Sequence, residues 1–269
     1  MLKNAPIGIF DSGIGGLTVL QQIAHLLPQE SLVYLGDTAR CPYGTKSPDI
    51  VAQYACENSD FLVERGIKML VVACNTVSAV ALEALRARYK MPVIGVIEPG
   101  AQAAVDCSTN RRIGVIGTEA TIASSAYTQA LRILDPGVEV YTRPCPLFVP
   151  LVEEGWVENE VARLTVAAYL GSLKRSGIDT LILGCTHYPL LRNLIVTFLG
   201  DGVRLVDSAE ETAKAVKTTL LSKDLIRRHI QGDLPGEASF FVTDVPDQFV
   251  KVGARFLGEV VESAVRIER

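Results

Sequence analysis

Cys74 and Cys185 are the residues whose type and setting best suit chemistry. Each ends a short aliphatic run: residues 69–72 (MLVV) lead into Ala73-Cys74-Asn75-Thr76, and residues 181–184 (LILG) lead into Cys185-Thr186-His187. A single free cysteine is most often just a small buried apolar residue. The duplication, cysteine then Asn or Thr then Thr or His, is what sets these two apart. A thiolate is a strong, soft base once its pKa is lowered, and a strand end beside a helix amino terminus is where such lowering is expected. One such thiol suits a nucleophile. Two facing each other across a ligand suit a different reaction, in which one as thiolate removes a proton from carbon and the other as thiol returns a proton to the opposite face, inverting a stereocentre. Acid–base action of this kind contributes about 10²–10⁴ in rate, so donors are also needed where carbanion charge develops. Ser12, Asn75, Thr76, Thr118 and Thr186 are candidates for that role.

The elements that must position these groups read as alternating strands and helices. Apolar runs at 7–10, 32–35, 69–73, 93–96, 113–116, 138–141, 181–184, 204–206 and 239–242 suit strands buried on both faces of parallel sheets, and open α/β sheets bind ligands at the carboxyl ends of their strands. Asp11-Ser12-Gly13-Ile14-Gly15-Gly16 is a turn opening a helix to about residue 27, and its glycines let backbone approach a ligand. Its G-x-G-G spacing is not the dinucleotide fingerprint, and Gly44-Thr45-Lys46-Ser47 lacks the glycine spacing of a P-loop. Further helices are expected at 48–65, 78–89, 158–176 and 248–265, with a break at Pro99-Gly100, a proline-rich loop at 144–150 and a capping box at Ser208-Ala209-Glu210-Glu211. Ile7 recurs as Ile113 and Cys74 as Cys185 at nearly equal offsets, the mark of two halves of one design. The expected fold is therefore α/β, with two pseudo-symmetric open parallel-sheet domains. They are residues 1–98 plus 209–269, and 99–208, with the active site in the cleft between them.

Composition narrows the function classes. The chain has 269 residues, 48% of them hydrophobic and 21% charged, enough for a large core. No apolar run reaches the roughly 18–20 residues needed to cross a bilayer, and the amino-terminal stretch lacks a signal-peptide pattern, so a cytoplasmic protein is expected, with no membrane partner. Its 6 cysteines are scattered without a CxxC, against a disulfide frame or a zinc knuckle. A net charge of −4 without a Lys/Arg cluster gives no footprint for nucleic acid. No lysine falls at a ligand-facing strand end, which argues against pyridoxal phosphate, and no metal is expected.

Taken together, FDSGIGGLTVL at 10–20, YLGDTARCPYGTKS at 34–47, VVACNTVSA at 71–79, GVIGTEATI at 114–122 and LGCTHYPLL at 183–191 resemble the bacterial glutamate racemases of the aspartate/glutamate racemase superfamily from end to end. The resemblance implies an isomerase without cofactor that interconverts L- and D-glutamate by two-base proton transfer and supplies D-glutamate for peptidoglycan. It implies that Cys74 takes the proton from D-glutamate and Cys185 from L-glutamate, with Asp11 and His187 as auxiliary acid/base residues and Glu153 as a further acid, a role Glu154 fits equally from sequence. Ser12, Pro42, Tyr43, Gly44, Asn75, Thr76 and Thr186 match the family's substrate-binding positions, and Thr118 and Thr121 are added from the second half. A homodimer is expected, the small-molecule substrate being the other partner.

Each supporting residue also has a plain structural reading. Asp11 could cap the first helix, His187 could be a loop histidine, Glu153 a solvated acid, Tyr43 a packing residue, and Thr118 and Thr121 N-cap and first-turn residues. The rival functions are an aspartate or hydantoin racemase on the same fold, whose aspartate branch resembles a GGMG-type turn, a Cys-His hydrolase, and a non-catalytic carboxylate-binding module. The hydrolase leaves Cys74 idle, and neighbours two apart in sequence, Cys185 and His187, do not have the geometry a dyad requires.

Overall fold

A computed structural model describes residues 2–227, 235–258 and 261–268. The first half runs β1 (Ile7–Asp11), α1 (Leu17–Leu26), β2 (Leu32–Gly36), α2 (Pro48–Val63), β3 (Met69–Val72), α3 (Asn75–Val80), α4 (Leu82–Arg88), β4 (Val93–Gly95) and α5 (Ile97–Cys107). The second runs β5 (Arg112–Gly117), α6 (Glu119–Ala123), α7 (Ala126–Leu134), β6 (Glu139–Pro144), α8 (Phe148–Glu153), α9 (Glu160–Arg175), β7 (Thr180–Gly184), α10 (Arg192–Leu199), β8 (Arg204–Asp207) and α11 (Ser208–Ser222). The chain then continues through β9 (Ala238–Val242), α12 (Pro246–Leu257) and β10 (Val265–Arg266).

The strands form two sheets, ordered β10-β9-β2-β1-β3-β4 and β6-β5-β7-β8. Every pairing is parallel. The order β2-β1-β3-β4 recurs as β6-β5-β7-β8, so the two halves are topological copies and the two cysteine strands, β3 and β7, are equivalent. β1, β2, β3 and β7 are buried along their whole length, because helices cover both faces of a parallel sheet. The tail returns to the first half, where β9 pairs with β2 in register from Leu32↔Ala238 to Gly36↔Val242.

Several elements differ from the sequence reading. The helix expected from residue 78 starts at Asn75, directly after Cys74, and is interrupted at Ala81. Pro99-Gly100 does not break the chain: α5 runs through both, with Pro99 in its first turn, where a missing N–H costs nothing. The same rule lets Pro150 sit in the first turn of α8, which replaces the end of the expected loop from residue 148 and has Glu153 as its last residue. Asp207, rather than Ser208, caps α11: its carboxylate accepts from the Ala209 N–H at 2.9 Å, while Ser208 Oγ donates to the Leu183 carbonyl at 3.3 Å. The last helix stops at Leu257, with Gly258 in a left-handed conformation (φ 69°), and Val265 belongs to a strand. The part of that expected helix at 259–260 lies outside the described residues.

Candidate active site

The carboxyl ends of both sheets converge on one small cavity of about 30 Å³. Its walls come from the segments following β1 (Asp11, Ser12), β2 (Cys41, Pro42, Tyr43, Gly44), β3 (Cys74, Asn75, Thr76), β5 (Thr118) and β7 (Cys185, Thr186, His187), with Val149 from α8. Both thiols are buried and line this same space. Next to it lies a larger hollow of about 480 Å³ that shares Cys41, Pro42 and Val149 and adds Glu153 and residues of α12.

Close packing across the cavity explains the glycines. A Cβ on Gly15 would lie 2.2 Å from Thr186 Oγ1 and 2.5 Å from the His187 ring, and one on Gly44 would lie 2.7 Å from Thr118. Gly15 and Gly44 of the first half thus admit loops of the second. Thr18 Oγ1 adds a bond to the Thr186 carbonyl at 3.3 Å, and the hydroxyls of Thr76, Thr118 and Thr121 form a triangle with edges of 3.0, 3.3 and 2.9 Å. Thr118 also caps α6 through the Thr121 N–H, its plain structural role, while lining the cavity. Thr121 lies behind the wall and reaches the cavity through Thr76 and Thr118.

On the Cys74 side, Asp11 is 1% exposed and its two oxygens are used differently. Oδ2 accepts from the N–H groups of Gly13 (3.2 Å) and Gly16 (3.0 Å), bracing the turn, while Oδ1 is buried and has no partner among the described residues. Burial raises the Asp11 pKa, opposed by the charge of His187 and by the Gly16, Gly13 and Ser12 N–H groups. Burial, then the charge of Asp11, pushes the Cys74 thiol up to about 12, against hydrogen bonds from the Val77 N–H and from Ser12.

On the other side, Cys185 Sγ lies 3.9 Å from His187 Nδ1, and His187 Nε2 lies 3.0 Å from Glu153 Oε1. A carboxylate on Nε2 favours the tautomer with its proton there, leaving Nδ1 as an acceptor toward the thiol. The Phe256 ring meets His187 edge-on at 5.3 Å, and Arg255 Nη1 donates to the Glu153 carbonyl at 2.7 Å, so α12 holds this arm from outside. Burial raises the Cys185 pKa strongly, opposed by the His187 backbone N–H. The lowering expected from strand-end positions is thus outweighed at both cysteines: the amides are present, but desolvation of a fully buried thiolate is the larger effect.

Tyr43 is buried and its hydroxyl is engaged, donating to Asp37 and accepting from Asn58 at 3.1 Å. Glu153 rather than Glu154 reaches His187. Residues the sequence reading did not single out also belong here. Cys41 lines the cavity as a third thiol, pushed up to about 12 by burial and then by Glu153. Tyr127, Val149, Arg255 and Phe256 surround the site. Cys41 falls within the family-like stretch 34–47 and was legible there. The others come from distant helices, and nothing local in sequence marks them.

The Asp/Glu/hydantoin racemase family profile matches residues 7–216. A glutamate racemase from Geobacter metallireducens is 58% identical over 252 residues, covering 94% of this chain and 92% of its own. Among solved structures, a glutamate racemase isoform from Bacillus anthracis superposes with a TM-score of 0.94 at 41% identity, covering 99% of this chain and 98% of its own. One from Francisella tularensis, in complex with D-glutamate, gives 0.91 at 37% over the same shares. With strand-end thiols from two copied sheets in one cavity and similarity over nearly its whole length, the chain belongs to the Asp/Glu/hydantoin racemase family.

Proposed function

We propose that this protein interconverts L- and D-glutamate without a cofactor, by two-base proton transfer between Cys74 and Cys185. The observation that carries the reading is that two equivalent thiols, from β3 and β7, line one cavity. Because burial keeps both protonated at rest, each needs a local base: Asp11 through its free oxygen for Cys74, and His187 Nδ1, backed by Glu153, for Cys185. From D-glutamate, the Cys74 thiolate takes the Cα proton: the Cα–H bond breaks, an S–H bond forms, and the electron pair passes into the α-carboxylate. The Cys185 thiol then gives its proton to the other face of Cα and is left as thiolate; with product release the proton that Asp11 took from Cys74 is lost to solvent and one from solvent returns to Cys185 by way of His187, restoring both sites. L-glutamate follows the reverse order. Donors from Ser12, Asn75, Thr76, Thr118 and Thr186 stabilise the developing charge, the Pro42-Tyr43-Gly44 loop completes the binding wall, and Thr121 holds the threonine cluster. The two lobes are taken as residues 1–98 plus 209–269, and 99–208, and the enzyme as a cytoplasmic homodimer supplying D-glutamate for peptidoglycan. Among the described residues, no helix is long and apolar enough to cross a membrane.

One observation favours a second reading. Contrary to the sequence expectation, Cys185 and His187 are within sulfur hydrogen-bond reach, and Glu153 completes a Cys-His-acid chain of the kind hydrolases use. Glutamate incubated in D₂O with the protein alone separates the two. The racemase acquires deuterium at Cα and loses optical purity from either enantiomer. Cys74→Ala and Cys185→Ala each abolish racemisation, whereas a hydrolase keeps its activity in Cys74→Ala. Racemisation persisting in both variants would eliminate the two-base mechanism.

A further inference from the structure

Tyr127, on α7 of the second half, is 2% exposed and reaches the segments that follow both cysteine strands. Its ring packs against Gly184, the residue before Cys185: a Cβ there would lie 3.1 Å from Tyr127 Cε2. Its hydroxyl crosses to the first half and donates to Asn75 Oδ1, the residue after Cys74, at 2.7 Å. Ser208 also lies within hydrogen-bond reach of the phenol, and its own hydroxyl donates to the Leu183 carbonyl at 3.3 Å. Asn75 lines the cavity, is 3% exposed, and its Nδ2 is a buried donor without a partner among the described residues.

An amide presents an acceptor at one end and a donor at the other, and its orientation follows from what each end binds. We propose that Tyr127 is a positioning residue that fixes the Asn75 amide with its oxygen turned away and its nitrogen presented to a substrate carboxylate. The inference rests on the racemase reading and deepens it by naming what orients one of its substrate donors. A buried phenol keeps its proton, since burial raises its pKa, so it stays a donor across the working pH range. With the amide reversed, Asn75 would aim a carbonyl oxygen at an anionic substrate. The ring of a phenylalanine fills the same space, so Tyr127→Phe removes the orienting bond while leaving the packing on Gly184.

A double-mutant cycle on the full chain tests this, with kcat and KM measured for both enantiomers of glutamate in wild type, Tyr127→Phe, Asn75→Ala and the double variant. Tyr127→Phe is expected to raise KM roughly tenfold, the order of one hydrogen bond to a charged group, with a smaller change in kcat. The double variant is expected to be no worse than Asn75→Ala alone, because Tyr127 acts through Asn75. Multiplying effects, or a Tyr127→Phe that lowers only the melting temperature and leaves KM unchanged, would overturn the inference while the racemase reading stands. A wild type that exchanges no Cα hydrogen would overturn both.

Discussion

At the scale of single residues, the mechanism proposed above asks one side chain to serve both structure and chemistry. Asp11 Oδ2 holds the turn through Gly13 and Gly16, and Oδ1 remains for a proton. Asp11→Asn keeps an oxygen for those two N–H groups and loses the base. The expected outcome is a drop in kcat/KM of about 10²-fold with a melting temperature close to wild type; equal losses of both would mean that Asp11 only braces the turn. Glu153→Gln removes the anion behind His187 Nε2. It is expected to lower kcat/KM for L- and D-glutamate equally, by about tenfold or more, since the equilibrium between enantiomers fixes the ratio of the two directions. Steady-state kinetics from both enantiomers check this, and an unchanged kcat/KM would return Glu153 to its plain role as a solvated acid.

At the scale of elements, the loops after the strands fit one another with little tolerance. Gly15→Ala would drive a methyl group into Thr186 and His187, so it should cost ~1–3 kcal/mol of stability and a larger share of activity, read from thermal melts and turnover together. α11 offers a test by pH. Burial raises the pKa of its cap, Asp207, from 3.8 to about 6, opposed by the Ala209 N–H. The folded state then binds more protons than the unfolded state between those values, so this group's contribution to stability falls as pH rises through that window and stays lost above it. Asn caps a helix as well as Asp. Asp207→Asn should therefore melt near wild type at pH 4 and higher at pH 8, by about 2–4 °C for ~1 kcal/mol. A gain of equal size at both pH values would refute the assignment.

At the scale of the whole molecule, the two sheets meet at their carboxyl ends, and contacts join the halves around the cavity. They include Thr18 to Thr186, Thr76 to Thr118, Tyr127 to Asn75 and Arg255 to Glu153. About 30 Å³ is room for little more than a pair of waters, less than a dicarboxylate occupies. Buried, protonated thiols in so small a space should alkylate slowly at pH 8. Half-buried Cys41, at the boundary with the larger hollow, is expected to react ahead of Cys74 and Cys185, and glutamate to slow the labelling of all three. Peptide mapping after iodoacetamide treatment checks this; prompt labelling of Cys74 or Cys185, unaffected by glutamate, would contradict the burial of these thiols in the site.

The sequence by itself determined what depends on local pattern. Apolar runs set the strands, Pro48 and the glycines at 66 and 177 set the limits of the helices they flank, and the spaced recurrence of Ile7 as Ile113 and Cys74 as Cys185 set the doubled α/β plan. Prolines misled at Pro99 and Pro150, because a proline that ends one helix is equally at home in the first turn of another. Only the tertiary structure decided what depends on which groups face each other across the lobes. It turned one Asp11 oxygen to the turn and left the other free, selected Glu153 over Glu154 for His187, brought Tyr127 and α12 to the site, and raised the thiol pKa values that local pattern had suggested were lowered. The reason is physical: desolvation and hydrogen-bond partners are properties of a packed surrounding drawn from distant parts of the chain, and no stretch of neighbours carries them.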